Sequence, residues 1–466
     1  MDSIGNPVFG IEIRGFEHIP DAERNMTLPQ VGPLWLATNL NVLSIILGCV
    51  GITLGLSLWW ALAACIVGNL PFVYLGLGSI GTVRAGLPVT TLSRAVFGIR
   101  GNIFNAALGW IASVAYEVIG AVFGVYALLA LFNIAGRQGS GTAEKLLAIF
   151  LQLVLSGGIA MLGHATMVFL QRFAALALGA VLLIVLVYTC GQVDWAAAGT
   201  SHARLSTPTI AAFMTACGVM ASQPIGYLFN GPDWVRYLPT CTPARQIFNR
   251  VFWWTFVPSV IVTAMGAMWA SLGDMTDPVA GLKPFIPGWL FVLYILAVIS
   301  GSMAANVPVF YSSGLSLQSM GLNVKRWVAT MADVLISTAV VAFIVFVADF
   351  TSALNDFVAL LLVWAGPYGA VWMCDGFRRR WVYEAGSVHR ASDRVPQTGR
   401  GRELTGWIAL AAGMLVGALT MRSPLYDGPI ALALGGTDLN WVLGFLVAGG
   451  VYQALTARPV LRQSLK

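Results

Sequence analysis

Long apolar segments recur along the whole chain, and they constrain its fold more than any other feature. A helix needs about 20 apolar residues to cross the hydrocarbon core of a bilayer. Twelve segments of this kind lie at 29–50, 57–79, 103–133, 145–166, 170–190, 209–231, 247–270, 288–313, 327–348, 354–374, 404–421 and 439–456. Hydrophobic residues make up 58% of the 466 residues, far more than a water-soluble fold of this length requires. We therefore predict an all-α polytopic protein with twelve transmembrane helices in a lipid bilayer.

Basic residues are distributed unevenly between the loops that join these segments. With the N-terminus in the cytoplasm, nearly all of the 26 Lys and Arg residues fall in cytoplasmic loops or at the two ends. The exceptions are Arg137, Lys145, Arg204, Lys283 and Arg422. Because cytoplasmic loops of membrane proteins are enriched in Lys and Arg, we predict a cell-membrane protein with both termini in the cytoplasm. This asymmetry accounts for the net charge of +6, so no nucleic-acid partner is expected.

The loops also divide the chain into a large unit and a small one. The longest predicted cytoplasmic connection, 375–403, is rich in arginine and follows ten of the predicted spans. We expect a cytoplasmic N-terminal segment at 1–28, a ten-helix core at 29–374, two accessory helices at 404–456 and a cytoplasmic tail at 457–466. We interpret the basic loop as a solvated anchor that sets orientation rather than as a partner-binding segment.

Polar and helix-breaking residues interrupt the first and the sixth predicted spans. The first contains "ATNLNVLS", with Asn39 and Asn41, and the sixth contains "SQPIGYLFNG", with Gln223, Pro224 and Gly226. Pro224 lacks a backbone donor and is expected to kink or end its helix. Interrupted spans at corresponding places in two halves are typical of inverted-repeat transporters and mark their central site. The repeats would cover 29–190 and 209–374.

The two asparagines of the first span have two interpretations. Asn39 and Asn41 either face a cavity in which a ligand uses their amides, or they only hydrogen-bond neighbouring helices. Irregular backbone at membrane depth persists where protein or a water-filled cavity satisfies it. The matching break in the sixth span favours the ligand-binding interpretation.

Four stretches carry a resemblance to a known family. They are "GIEIRGFEHIPDAER" before the first span, "GLPVTTLSRAVFGIRGN" between spans two and three, "GPDWVRYLP" after span six, and "AANVPVFYSSGLSLQ" in span eight. The chain resembles the nucleobase–cation symporter-1 family, in its purine–cytosine permease branch. The resemblance implies a leucine-transporter-type fold of two inverted five-helix repeats plus two C-terminal helices. It also implies cation-coupled import of a purine or pyrimidine nucleobase, or a related heterocycle, by alternating access.

The resemblance assigns a substrate site to spans one, three, six and eight. An amide on span one corresponds to Asn41, and aromatic residues on spans three and six correspond to Tyr116 and Tyr227. Two flat rings suit a planar heterocycle, since offset stacking contributes about 0.5–1.5 kcal/mol per pair. The alternative is that both tyrosines only fill helix interfaces. Gln223 and Gly226, in the break of span six, belong to the same predicted site.

The chain departs from the family pattern at two positions where the family has amide side chains that hydrogen-bond the substrate. Four residues after the span-three aromatic the family has an amide, and this chain has Gly120. The asparagine expected in span eight is replaced by Ala305, with Asn306 next to it. Because a site built for hydrogen bonds discriminates strongly between ligands, we expect a specificity that differs from that for cytosine itself.

Glu117 lies near the middle of span three, beside the predicted site. A carboxylate at the bilayer centre costs about 2.5–3.5 kcal/mol on insertion scales, so it is a functional candidate. Three roles stay open: a proton carrier during transport, a hydrogen-bond acceptor for an amine of the substrate, or a structural contact with a helix break.

The resemblance also implies a cation site and a gate. Sodium would be bound by the carbonyls of Ala37 and Leu40 and by the hydroxyls of Ser300 and Ser302, because a hard cation prefers oxygen ligands. Sodium and proton coupling are equally compatible with the sequence. The predicted gate is formed by Asp233 and Arg236, as a gate or helix-end ion pair at the cytoplasmic end of span six.

Other classes of function find less support in the sequence. No Ser/His/Asp grouping, metal-ligand spacing or phosphate-binding loop indicates an enzyme, and no cofactor is expected. A channel would need a repeated pore signature or a charged ring. A transporter-like receptor that binds without transport, or an uncoupled permease for another small polar ligand, remains the alternative. We expect a monomer.

Overall fold

The computed structural model describes residues 7–12, 14–137, 141–195, 206–275, 277–347, 350–384, 400–423 and 426–457. These residues are helical almost throughout, and the only β-type contact within them is an isolated bridge between Arg422 and Asp427. The predicted all-α class is therefore confirmed for the part of the chain that is described.

The first half of the chain forms nine helices. They are α1 (Leu28–Asn39), α2 (Val42–Thr53), α3 (Leu58–Asn69), α4 (Phe72–Ala85), α5 (Val89–Leu92), α6 (Arg94–Phe97), α7 (Asn102–Ile134), α8 (Thr142–Leu162) and α9 (His164–Cys190). The second half forms α10 (Thr207–Gly226), α11 (Ala244–Leu272), α12 (Gly288–Ser319), α13 (Arg326–Phe346), α14 (Phe350–Arg378), α15 (Arg400–Thr420), α16 (Pro429–Ala433) and α17 (Asn440–Thr456). Helical segments thus occupy every predicted span.

Within the described residues, eight helices are long and apolar enough to cross a membrane, or nine if a bent pair counts as one span. The number twelve therefore stays a prediction. One predicted boundary was wrong: span four was expected to reach residue 166, but α8 ends at Leu162 and α9 begins at His164. Gly163 between them has φ +107°, a backbone conformation that glycine adopts without the steric cost of a side chain.

The breaks in the first and sixth spans are both present. The axes of α1 and α2 differ by 56° across Leu40 and Asn41. In the sixth span α10 ends at Gly226, and two short 3-10 segments follow at Tyr227–Phe229 and Gly231–Val235. The helix continues past Pro224 for two residues and ends at Gly226, within the predicted interrupted stretch. Losing one backbone donor does not by itself decide where the chain turns.

The helices pack in pairs that cross between the two halves of the core. The long helices α7 and α12 make the most extensive contact, α2 packs on α11, and α3 packs on α10. A methyl group on Gly48 of α2 would lie 1.8 Å from the carbonyl oxygen of Thr263 on α11, so the two backbones meet directly there. The last two long helices, α15 and α17, pack on each other and on α14.

The N-terminal strap, residues 7–12 and 14–27, lies across one end of the bundle. Backbone N–H groups of the strap donate hydrogen bonds to the carbonyl oxygens of Leu162, Gly86 and Tyr237, at 3.0 to 3.1 Å. The strap therefore connects the α8–α9 corner, the end of α4 and the segment after the sixth span.

Candidate functional site

A cavity lies where the two helix breaks face α7 and α12. Its walls are formed by Asn41, Val42, Leu43, Tyr116, Gly120, Gln223, Tyr227, Asn230, Ser302, Ala305, Asn306 and Val309. The cavity volume is about 30 Å³, which is room for about two water molecules. Seven of the predicted substrate-site residues line it together, although they come from four different spans. Their role in binding stays a prediction.

The amides of the first span satisfy the backbone around its break. Asn41 caps α2, because its Oδ1 accepts a hydrogen bond from the Ser44 backbone N–H at 3.1 Å. Its Nδ2 donates to the Thr38 carbonyl oxygen at 2.7 Å. Asn39 Nδ2 donates to the Trp35 carbonyl oxygen at 2.8 Å, and Asn39 is absent from the cavity wall. The amides of both asparagines thus bind backbone groups of the first span itself, and of the two only Asn41 also lines the cavity.

Gln223 joins the two breaks to each other. Its Nε2 donates to Ser44 Oγ at 3.0 Å and lies 3.5 Å from Asn39 Oδ1. One side chain of the sixth span therefore contacts Asn39 and Ser44 on either side of the break in the first span.

The two tyrosines are held in different ways. The Tyr116 hydroxyl donates to the Ser222 carbonyl oxygen at 2.9 Å. The Tyr227 ring packs edge to face on Trp35 and Trp234, with centroids 5.6 and 5.5 Å apart. Gly226 lies behind Tyr116, since a methyl group on it would be 2.5 Å from the Tyr116 hydroxyl oxygen. Gly226 supports the site and does not line the cavity.

Asn306 occupies the space that Gly120 leaves open. A methyl group on Gly120 would lie 2.3 Å from Asn306 Oδ1. The Asn306 Nδ2 donates to the Glu117 carbonyl oxygen at 2.8 Å, which holds the amide in place. An amide is therefore present where span three lacks one, but it comes from α12.

Two cavity residues have buried polar atoms without a hydrogen-bond partner in the described part of the chain, namely Asn230 Oδ1 and Ser302 Oγ. Asn230 is 2% exposed and lies between the two 3-10 segments of the sixth span. Buried polar atoms are ordinarily hydrogen-bonded, so these two are available to a ligand. Sequence reasoning did not assign Asn230 to the site; its place in the interrupted stretch was the signal.

The predicted sodium ligands are only partly brought together. The Leu40 carbonyl oxygen faces α12, 2.7 Å from where a methyl group on Gly301 would stand. Ser302 lines the adjacent cavity, whereas Ser300 is exposed on the other side of α12 and donates to the Leu296 carbonyl oxygen at 2.7 Å. The register of α12 thus places glycine, and not a serine hydroxyl, beside Leu40. Ala37 is fully buried in the last turn of α1, before the break.

Glu117 does not line the cavity. It lies on the side of α7 that faces α13 and is fully buried, and its Oε2 accepts a hydrogen bond from Ser337 of α13 at 3.1 Å. Among the described residues, no group of three or more His, Cys, Asp or Glu could hold a metal ion.

The predicted gate residues are buried but bind other partners. Asp233 Oδ1 accepts a hydrogen bond from the Val89 backbone N–H at 2.7 Å. Arg236 Nη2 donates to the Tyr311 hydroxyl oxygen at 2.8 Å and lies 3.8 Å from Glu12 Oε1. The ion pair of Arg236 is thus with the N-terminal strap and not with Asp233.

Glu12 is the centre of the contacts between the strap and the bundle. Its side chain accepts hydrogen bonds from the His164 backbone N–H at 2.8 Å and from the hydroxyls of Tyr237 and Tyr311. Burial raises the pKa of Glu12, but the positive charges of Arg326 and Arg236 outweigh it, and the pKa lies below its ordinary value of 4.5. Glu12 is therefore an anion at neutral pH.

The model of a family described as "Permease for cytosine/purines, uracil, thiamine, allantoin" matches residues 18–444. Two curated relatives are similar over nearly the whole chain. The chain is 24% identical over 456 residues to the putative purine-cytosine permease YxlA of Bacillus subtilis (strain 168), with 96% of each protein covered. It is 25% identical over 473 residues to the purine-cytosine permease fcyB of Emericella nidulans, with 96% of this chain and 88% of the relative covered.

Two solved structures share the fold. Mhp1, a nucleobase-cation-symport-1 family transporter in a closed conformation with bromovinylhydantoin bound, has a TM-score of 0.75 at 16% identity and covers 95% of this chain and 94% of its own. A Na⁺-coupled sialic acid symporter in a substrate-bound outward-open state has a TM-score of 0.61 at 13% identity, with 93% and 90% covered.

These matches confirm the resemblance that the sequence motifs carry, and they identify a transporter rather than an enzyme. The chain belongs to the family of permeases for cytosine/purines, uracil, thiamine and allantoin.

Proposed function

We propose that this chain imports a purine or pyrimidine nucleobase, or a related heterocycle, together with a cation by alternating access. The observation that supports this most directly is the cavity between the two helix breaks, where Tyr116 and Tyr227 meet the amides of Gln223, Asn230 and Asn306. Rings with a few well-placed amides suit a flat ligand that has N–H and C=O groups on its edge. The printed names of both curated relatives and the hydantoin bound to Mhp1 support the same substrate class.

The residues of the cavity have separable roles in this proposal. The rings of Tyr116 and Tyr227 stack on the heterocycle. Asn230 Oδ1 accepts a ring N–H, which would satisfy an acceptor that has no partner in the described residues. The Asn306 amide binds a second edge of the heterocycle through its Oδ1, which lies beside Gly120. Its Nδ2 is already held by the Glu117 carbonyl oxygen.

The size of the cavity and the position of the breaks support alternating access. A cavity of about 150 Å³ holds a benzene ring, whereas this one measures about 30 Å³. The first and sixth spans must therefore move away from α7 and α12 to admit a base. Both breaks supply backbone that can act as a hinge, and Gln223 couples them. We place the N-terminal strap on the cytoplasmic side, where its contacts close the inner end of the bundle.

The coupling ion in this proposal is sodium or a proton. Sodium would have the Leu40 carbonyl oxygen and the unpartnered Ser302 hydroxyl as oxygen ligands, a smaller set than the sequence predicted. A proton would be bound by the carboxyl group of Glu117, which is fully buried near the middle of α7. The packing of α2 on α11 and of α3 on α10 supports the inverted five-helix repeat, because exchanging the two halves interchanges these contacts.

Uptake by purified protein in liposomes tests the proposal. We expect saturable accumulation of labelled cytosine, adenine, uracil or allantoin when an inward sodium or proton gradient is imposed. Replacing Tyr116 or Tyr227 with leucine should reduce uptake at least about tenfold, since each loses a stacking face and a hydroxyl contact. Tyr188→Leu, on the exposed side of α9, is the matched control and should transport normally.

Two results would contradict the proposal. Ligand-induced thermal stabilisation without any uptake would indicate a transporter-like receptor. Uptake that equilibrates but never exceeds the outside concentration, under either gradient, would indicate an uncoupled permease.

A further inference from the structure

A second polar cluster lies outside the cavity, where α7 and α13 are in contact. Glu117 and Asp333 are both fully buried, and their carboxyl groups are within hydrogen-bonding reach of each other. Ser337 Oγ donates to Glu117 Oε2 at 3.1 Å. Trp110 Nε1 donates to Asp333 Oδ1 at 3.0 Å, and Ser313 Oγ donates to Asp333 Oδ2. Three helices thus contact one pair of acidic groups, which we call the carboxyl pair.

Among the described residues, no positive charge compensates the carboxyl pair. In the described part of the chain, neither acid forms an ion pair with Lys, Arg or His, and α12 has no charged residue. On the other helices that pack against α7 and α13, the charged residues are Glu144, Lys145, Asp356, Asp375 and Arg378, and α13 itself begins at Arg326. Arg326 pairs with Glu12, Asp375 pairs with Arg379, and the Asp356 side chain lies outside the described part.

Two adjacent carboxylates cannot both stay ionised in such a place. Burial penalises each charge, and repulsion at short range adds to the penalty. Glu117 Oε1 receives no hydrogen bond from any donor among the described residues. A proton shared between Glu117 and Asp333 would remove one charge and supply this missing donor at the same time. We propose that the carboxyl pair binds the coupling proton of the transport cycle.

The carboxyl pair is linked to the cavity through α7 and α12. Glu117 follows Tyr116 directly, and its carbonyl oxygen accepts the hydrogen bond of Asn306, a cavity residue. Ser313, which binds Asp333, lies two turns further along the same helix as Asn306. A shift of α12 that adapts Asn306 to substrate therefore also moves a donor of the carboxyl pair. With the proton lost, two like charges separate α7 from α13; with the proton bound, the observed contact forms.

This inference rests on the proposed function for its role in transport, but proton binding can be measured without transport. Infrared spectra of the purified protein, titrated from acid to alkaline pH, report the C=O stretch of protonated carboxyl groups. We expect a band at neutral pH that is present in the wild type and in Glu144→Gln, which alters an acid at the first turn of α8. The band should be lost in the Glu117→Gln, Asp333→Asn double variant. A wild-type spectrum equal to that of the double variant would overturn the proposal.

Transport by the single variants tests coupling. With labelled cytosine and adenine as probes, Glu117→Gln and Asp333→Asn should retain exchange between preloaded and external substrate. Both should lose accumulation driven by a proton gradient, whereas Glu144→Gln keeps it. Undiminished gradient-driven accumulation in both single variants would overturn the coupling role. A wild type that shows the band but moves neither probe would refute the proposed function and its coupling step, while proton binding by the pair would stand.

Discussion

Gly120 and Asn306 show that an amide can occupy an expected place in the structure although it comes from a different helix. The resemblance predicted an amide four residues after Tyr116, and the chain has Gly120 there. In the structure the amide of Asn306 fills that position from α12. Sequence reasoning named Gly120 and Ala305 as departures, with Asn306 next to Ala305. It could not relate Gly120 to Asn306, because the contact depends on how α7 and α12 are rotated against each other.

Adding a methyl group at Gly120 should disturb the cavity without altering its charge. In Gly120→Ala the new methyl group would lie 2.3 Å from Asn306 Oδ1, so the amide must turn away. Losing one buried hydrogen bond to the substrate costs about 1–3 kcal/mol, or about 5- to 150-fold in affinity. The dissociation constant of the best heterocyclic ligand, measured by calorimetry, checks this.

Gly158→Ala is the matched control for that substitution. Gly158 lies on α8 with open space where its methyl group would be placed, so affinity should stay unchanged. An unaltered dissociation constant in Gly120→Ala would show that Asn306 does not contact the ligand.

At the scale of elements, the N-terminal strap is the part that the sequence described least completely. Its leader was noted for the family resemblance, yet the structure shows that Glu12 joins the α8–α9 corner to Arg236, Tyr311 and Arg326. Arg236 was expected to act as a gate residue beside Asp233. The structure pairs it with an acid more than 220 positions earlier in the chain, a distance over which local patterns carry no information.

Replacing Glu12 should release the strap. Glu12→Gln leaves Arg236 and Arg326 without their anion, and breaking a buried ion pair costs about 3–5 kcal/mol. We expect about 3 kcal/mol here, since both arginines keep hydrogen bonds to other groups. Hydrogen exchange of the strap amides should become about 100-fold faster. Glu23→Gln, which breaks the partly exposed pair with Arg14, should cost less than about 1 kcal/mol.

The pH dependence of the strap follows from the lowered pKa of Glu12. A carboxyl whose pKa is lowered by folding stabilises the folded state above its ordinary pKa, and this stabilisation is lost as the pH falls through the lowered value. Attachment of the strap should therefore be constant above pH 4.5, the ordinary value, and weaken only below it. Detachment on mild acidification, well above that value, would mean that Glu12 is not held as an anion.

At the scale of the whole molecule, the distribution of basic residues predicts which face of the bundle is cytoplasmic. Cys241 is an exposed free cysteine in the connection after the sixth span, on the side where the strap lies and Arg236 and Arg245 are found. The natural sequence thus contains a reporter of orientation.

Labelling of Cys241 should depend on which side of the membrane is accessible. A membrane-impermeant maleimide should modify the protein in inside-out vesicles and not in intact cells, because Lys- and Arg-rich loops stay in the cytoplasm. Cys241→Ser removes the labelled site and serves as the control, since the other five cysteines all lie within helices. Modification of Cys241 in intact cells would reverse the predicted orientation.

The sequence by itself determined the membrane class, the helix positions, the family and the two interrupted spans. These follow from local physics: about 20 apolar residues cross the lipid, and polar or helix-breaking residues at that depth need a special environment. It also selected most of the residues that line the cavity.

Only the tertiary structure decided which side chain fills the space at Gly120, that Glu117 faces Asp333 instead of the cavity, and that Ser300 turns away from Leu40. Each of these depends on the rotation and register of helices that are far apart in the chain, such as the 189 positions between Glu117 and Asn306. The apolar pattern of a membrane helix does not encode that rotation, because lipid-facing and protein-facing sides are both apolar. Close packing against the neighbouring helices sets it.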